Sequence, residues 1–123
     1  MTRVLDASAV LAVIFREDGI DKVMASINDS VMSVVNLCEV LTASAKKGLD
    51  ARAVKTLLDE FGILWTAPDD VDALVASGFP SDLGLSLGDR FCLALAAERG
   101  LPVLTGDRAW AVLSPTVEVE LIR

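Results

Sequence analysis

Arg3-Val-Leu-Asp6-Ala-Ser8-Ala-Val-Leu-Ala-Val-Ile-Phe15 is the stretch that decides the fold. Residues 3–5 read as a short strand, and Asp6 separates them from residues 7–15, which are apolar on nearly every side. A helix that is hydrophobic all round is a buried helix. A strand that feeds straight into a buried helix opens a strand–helix–strand unit, whose strands lie parallel. The same grammar returns near the other end. After Pro102 comes an apolar strand, residues 103–105. Gly106 then leads to Asp107 and a short helix over residues 107–112.

Between these ends the periodicities alternate. Ile20, Val23, Met24 and Ile27 form one helical stripe, followed by a short strand at residues 30–32. Val34, Leu37, Cys38 and Leu41 stripe a third helix that ends near Gly48, with Lys46 and Lys47 in its last turn. Val54, Leu57, Leu58 and Phe61 stripe a fourth, and a strand at residues 63–66 closes before Pro68. Residues 69–77 read as a helix whose first turn is acidic (Asp69, Asp70, Asp72), 78–84 as a loop, and 88–99 as an apolar helix. Val117, Val119 and Leu121 alternate with Glu118 and Glu120, the mark of a last strand with one exposed face. There is no repeat, low-complexity tract or linker, so residues 1–123 read as a single domain. The expected class is α/β: three layers, α/β/α, around a mainly parallel sheet of four to five strands.

The bulk composition narrows the chemistry. With 123 residues, the chain can bury roughly two-thirds of its unfolded surface and needs no disulfide or structural metal. Histidine is absent, as is tyrosine. A Ser-His-Asp triad and a histidine-ligated zinc site are therefore excluded. Carboxylates must carry much of any catalysis, and they favour hard cations such as Mg2+ or Mn2+. The two cysteines, Cys38 and Cys92, fall in apolar helical patterns and read as buried, reduced thiols. Charge-free stretches reach only about nine residues, too short for the ~20 apolar residues of a membrane span. With no long apolar leader at the start, the expectation is a cytoplasmic protein. Its 53% hydrophobic content points to an oligomer interface.

Four acids stand out. In a parallel sheet, ligands bind beyond the carboxyl ends of the strands. Asp6 and Asp107 both follow strands directly and belong at that edge. Asn36 and Glu39 share a helical face off the apolar stripe, and Asp89 opens the last long helix. Each has a simpler reading as a cap: Asp6 and Asp107 before their helices, Asn36 with Glu39 as N-cap and partner, Ser86 with Asp89 as a capping box. Ser8 and Thr105 are small hydroxyls beside the two strand-end aspartates, able to orient carboxylates as metal sites require. Carboxylates gathered in one crevice repel one another until a proton or a cation intervenes.

Asp6-Ala-Ser8-Ala, Asn36-Leu-Cys-Glu39-Val, Leu85-Ser-Leu-Gly-Asp89 with its helix, and Leu104-Thr105-Gly-Asp107-Arg-Ala-Trp110 together resemble the motifs of PIN domains, VapC-type toxins in particular. The resemblance spans nearly the whole chain. It implies Mg2+- or Mn2+-dependent RNA cleavage, a homodimer, and a cognate antitoxin partner with a basic or amphipathic tail. By motif match Asp6, Glu39, Asp89 and Asp107 would be the catalytic and metal-holding acids, with Ser8, Asn36 and Thr105 as polar support. Arg90 and Arg108 flank two of the acids and are candidates for phosphate contact, though such arginines are more often solvated surface. Trp110 fits the aromatic position after the last acid, packing under the site rather than stacking on a base. Trp65 reads as core. Ser44-Ala-Lys-Lys47 spells S-x-x-K but lies in a helix end where lysines suit the dipole.

Three rivals remain open on sequence. A receiver-type signalling domain would want an acidic pair after the first strand and a late lysine, whereas Asp6 stands alone and no lysine follows Lys55. A haloacid-dehalogenase-like phosphatase would want an aspartate where Ser8 stands. A non-catalytic binding module on the PIN fold is the third. The net charge of −7 is awkward for a nuclease. Either Arg3, Arg16, Lys46, Lys47, Arg52 and Lys55 supply a local basic face, or the acidity serves a basic antitoxin segment that folds on binding.

Overall fold

Each described strand is short and is joined to the next by at least one helical segment, the crossover that parallel pairing requires. The computed structural model describes residues 2–114 and 116–123. Its elements run β1 (Val4–Leu5), α1 (Ala7–Ile14), α2 (Ile20–Met24), β2 (Val31–Ser33), α3 (Val34–Lys46), α4 (Ala51–Glu60), β3 (Leu64–Thr66), α5 (Asp70–Ser77), α6 (Leu87–Arg99), β4 (Val103–Thr105), a 3₁₀ turn (Arg108–Leu113) and β5 (Val119–Leu121). The strands form one five-stranded sheet in the order β3-β2-β1-β4-β5, parallel throughout.

Strand alternation divides the core in two. Leu5, Met32 and Leu104 point into one layer with α1, α2, α4 and Val40 of α3. Val4, Val31 and Val103 point the other way, into a layer with α6, Ala76, Phe79, Trp110 and Leu113. Apolar residues on both strand faces are what a sheet covered on both sides requires. The expected α/β/α layering is present, with five strands.

The sheet order also decides between rivals. Receiver-type domains follow the order 2-1-3-4-5, with β1 beside β3. Here β1 lies between β2 and β4, so the receiver reading is excluded on topology. Reversal of strand order at β1/β4 opens a crevice at the carboxyl ends of those two strands. Asp6 leaves β1 there, and Asp107 follows β4.

At the edge strand, Glu120 departs from expectation. It is half-buried rather than solvated, because the Arg3 guanidinium forks onto its carboxylate at 2.9–3.1 Å. That bond ties the start of the chain to its last strand. Arg3 is thereby removed from the proposed basic face. Lys55 is removed too, paired with Asp59 at 2.7 Å. Among the described residues no helix is long and apolar enough to cross a membrane.

Candidate active site

Asp6 is 4% exposed, at the turn from β1 into α1, where its backbone N–H donates to Leu104 O on β4. It does not cap α1 with its side chain. Instead its Oδ2 accepts two hydroxyl bonds, from Ser8 Oγ at 2.6 Å and from Thr105 Oγ1 at 2.8 Å. Each hydroxyl accepts in turn from the loop after β4: Gly106 N–H donates to Ser8 Oγ, and Asp107 N–H to Thr105 Oγ1. The backbone donors fix which way the hydroxyl protons point, and both point at Asp6. A Ser8–Thr105 contact of 3.3 Å closes the cluster.

Glu39 and Asp89 reach the same edge from helices on opposite sides of the sheet, α3 and α6, which pack together there. Between them stands Asn36, fully buried. Its Nδ2 donates to Glu39 Oε1 at 2.8 Å and to Gly88 O at 3.0 Å. Asn36 is therefore a bridge between α3 and α6, not a helix cap. The cap of α3 is Ser33, whose Oγ accepts from Val35 N–H. Asp89 does close the expected capping box: its Oδ2 accepts from Ser86 N–H, and Ser86 Oγ accepts from Asp89 N–H. Asp107 caps the 3₁₀ turn through Oδ1 and is exposed at the rim, joined to Asp6 through Thr105.

The electrostatics show which acids converge. Burial, helped by the charge of Asp89, pushes the Asp6 carboxyl up to about 6, against the bonds from Ser8 and Thr105. Beneath them the Cys92 thiol is raised by burial and then by Asp6, Asp89 and Glu39. Three of the four acids thus act on a common neighbour. Among the described residues, no cationic side chain contributes to holding the charge of Asp6. The donors are carboxylate oxygens backed by hydroxyls and an amide, a set suited to a hard divalent ion. Among the described residues, no three acidic or cysteine side chains already stand close enough to clasp an ion.

The family model of the PIN domain matches residues 3–114. The chain belongs to the PIN-domain family. Ribonuclease VapC42 of Mycobacterium tuberculosis is 30% identical over 115 residues, spanning 82% of this chain and 87% of that one. A toxin–antitoxin complex from Klebsiella pneumoniae contains a chain that superposes with a TM-score of 0.78 at 17% identity, over 98% of both chains. VapBC-5 from Mycobacterium tuberculosis, a member of the VapBC family of toxin–antitoxin systems, gives a TM-score of 0.65 at 26% identity, over 99% of this chain and 98% of that one.

Within this PIN domain several side chains depart from the sequence reading. Cys38 is exposed, not buried, while Cys92 is buried as expected. The apolar stripe of α3 is divided: Val34 and Cys38 are exposed, Leu37 and Leu41 are half-buried against the first core layer, all four line a shallow groove, and Asn36, Val40 and Ser44 are the buried residues. Ser44 Oγ donates to Val40 O, so the S-x-x-K spelling has no chemistry behind it. Trp65 is half-buried rather than core. Its Nε1 donates to Asp59, and Lys55 stands 5.4 Å from its ring centre. The fully buried tryptophan is Trp110.

Arg90 is committed elsewhere. Its guanidinium donates to Ala76 O, Phe79 O and Pro80 O, clasping the loop after α5. Replacing Arg90 with alanine removes these three charge-assisted bonds, only partly buried, at about 1–3 kcal/mol. The expected result is a lower unfolding midpoint in urea with an unchanged KM for RNA; a raised KM at parental stability would restore the phosphate role. Arg108 is exposed and carries no bond among the described residues. Gly88 sits inside the Leu85–Asp89 motif with no role assigned to it there, and the Glu39 carboxyl group is packed against it.

Proposed function

We propose that this PIN domain is a metal-dependent endoribonuclease, the toxin of a toxin–antitoxin pair, hydrolysing RNA phosphodiesters at Asp6, Glu39, Asp89 and Asp107. One observation carries the reading: a buried carboxylate, held by two oriented hydroxyls at the switch point of the sheet, feels the charge of Asp89 and, among the described residues, that of no cationic side chain. A relative at 30% identity is named a ribonuclease, and neighbours in fold are components of toxin–antitoxin complexes.

Asp6 and Asp89 would hold the main Mg2+ or Mn2+, with Glu39 and Asp107 completing the site or serving a second ion. When bound, the ion supplies Lewis acidity and neutralises charge gathering on the phosphoryl group. The protein's own part is to hold the acids ready. Ser8 and Thr105 keep Asp6 aimed, and Asn36 keeps Glu39 against α6. Glu39 offers its second carboxylate oxygen, since Asn36 occupies only Oε1. Asp89 and Asp107 each spend one oxygen on a helix start, leaving the other for a ligand.

The partner reading follows from charge. A net −7 suits an antitoxin with a basic or amphipathic tail, whose cationic side chains would complement the acids. Leu74, 74% exposed on α5, with Val71 and Leu87 nearby in sequence or packing, supports a homodimer surface. A cytoplasmic location accords with the free thiols.

The test is cleavage of an RNA panel with Mg2+ or Mn2+, with EDTA, and with Asp6→Asn and Asp89→Asn. Loss of cleavage in EDTA and a fall of about 100-fold in each variant are expected. Unchanged cleavage in both variants would remove the roles proposed for these acids. Calorimetry with Mn2+ separates this reading from a non-catalytic module, which takes up no ion at the site.

A further inference from the structure

The helix α6 carries a glycine in its first turn, Gly88, one residue before Asp89. Its backbone is not in the left-handed region, so an alanine could adopt the same conformation. Alanine is the better helix former, and glycine here weakens the helix. Conformation does not explain the choice. Space does: a Cβ at position 88 would overlap the carboxyl carbon and both carboxylate oxygens of Glu39. No other glycine among the described residues is pressed by an acidic carboxyl group in this way.

Asn36 completes the arrangement. One amide nitrogen grips the Glu39 carboxylate and the Gly88 carbonyl together. The Glu39 carboxyl group therefore lies flat against the start of α6, beside Asp89, held by Asn36 on one side and admitted by the missing Cβ on the other. We infer that Gly88 is a positioning residue: with Asn36 it forms the seat that places the Glu39 carboxylate next to Asp89. The seat is a property of the fold, and it rests on the proposed function only for what the seated carboxylate then does, namely help to hold a divalent ion.

The inference separates stability from function in an unusual direction. Most substitutions at a buried glycine fail because backbone or rigid side chains stand in the way. Here the obstacle is the far end of a flexible side chain, which can swing outward. Gly88→Ala should fold, gain helix propensity, and lose the placement of Glu39.

The experiment uses the parent, Gly88→Ala, Glu39→Ala and the double variant. Metal-free thermal unfolding is read for all four, and Mn2+ calorimetry for the parent and Gly88→Ala. Coupling in the unfolding temperatures is expected: Gly88→Ala raises Tm more in the Glu39→Ala background, where the new methyl group meets nothing, than in the parent. Gly88→Ala should weaken the Mn2+ Kd by about 10- to 100-fold. Additive Tm effects, or a Gly88→Ala protein that takes up Mn2+ as tightly as the parent, overturn the inference. A parent that takes up no Mn2+ while the Tm coupling is present overturns the metal reading and supports the seat. A parent that binds Mn2+ with purely additive Tm effects does the reverse.

Discussion

Asp6→Asn should make the metal-free protein more stable at neutral pH while lowering RNA cleavage about 100-fold. The carboxyl of Asp6 is buried, and burial raises it from 3.8 to about 6 even though Ser8 and Thr105 both donate to it. Between those two values the folded chain binds more protons at this group than the unfolded chain. Stability from Asp6 is thus fully present below about pH 4 and is lost as pH rises towards 6. At pH 7 the ionised, buried carboxylate costs roughly 2–3 kcal/mol relative to pH 4. Asparagine is neutral throughout, and its carbonyl oxygen can accept the same two hydroxyl bonds. Urea unfolding of the metal-free variant should show a gain of up to about 3 kcal/mol over the parent at pH 7, shrinking to near zero at pH 4. Saturating Mn2+ should reverse the order, because only the parent gains binding energy. Equal stabilities at pH 7 would mean that Asp6 is not held against its own desolvation, and the case for a charge awaiting a cation would go with it.

That cost is legible in the sequence only as far as its backbone consequences. The run from Arg3 to Phe15 fixes a parallel strand entering a buried helix, because no other arrangement covers so many consecutive apolar residues. Asp6 and Asp107 follow from it, since residues that leave β1 and β4 must lie at one edge. Helix α3 shows where such reading stops. Its apolar stripe, Val34, Leu37, Cys38 and Leu41, looks like the inward face, yet the residues fully covered include Asn36 and Ser44. Period and polarity alone assume that apolar residues face inward. They cannot see that α6 offers the Gly88 carbonyl, which an amide can join to the Glu39 carboxylate on its own helix. A buried asparagine with two partners inverts the rule, as buried polar groups do when paired. The Cys38 thiol is carried outward by the same rotation. Gly88 is silent for a related reason: a glycine that makes room for a side chain 49 residues earlier has no local signature.

The competition between cap and site also resolves differently from a choice of one. Asp89 is a capping residue by geometry, and so is Asp107. A carboxylate has two oxygens, and a cap bond uses one of them. Cap geometry fixes the rotamer, and a fixed rotamer presents the remaining oxygen at low entropic cost. Asp6 makes no cap bond with its side chain and is held by side-chain hydroxyls instead.

The largest loss of stability is expected from Trp110→Ala, and its contrast with Trp110→Phe tests how the last acid is supported. Trp110 is 1% exposed, in the 3₁₀ turn that Asp107 starts, and shares the second core with Cys92, Leu93 and Leu113. Truncation to alanine removes most of a large buried side chain and leaves a cavity, a loss of about 3–5 kcal/mol. In a domain of 5–15 kcal/mol total stability that is a fall of roughly 10–20 °C in Tm. The turn would loosen with it, and Asp107 would lose its fixed place beside Thr105. Phenylalanine fills much of the same space and also removes an N–H that has no partner among the described residues. An orphaned buried donor costs about 1–3 kcal/mol, which offsets much of the lost contact. Trp110→Phe should therefore unfold within a few degrees of the parent and cleave RNA at the parental rate. An indole buried this deeply cannot stack on a base, so cleavage should follow the packing of the turn and not the indole itself. A phenylalanine variant with parental Tm and lost cleavage would return Trp110 to the substrate and contradict its place beneath the acids.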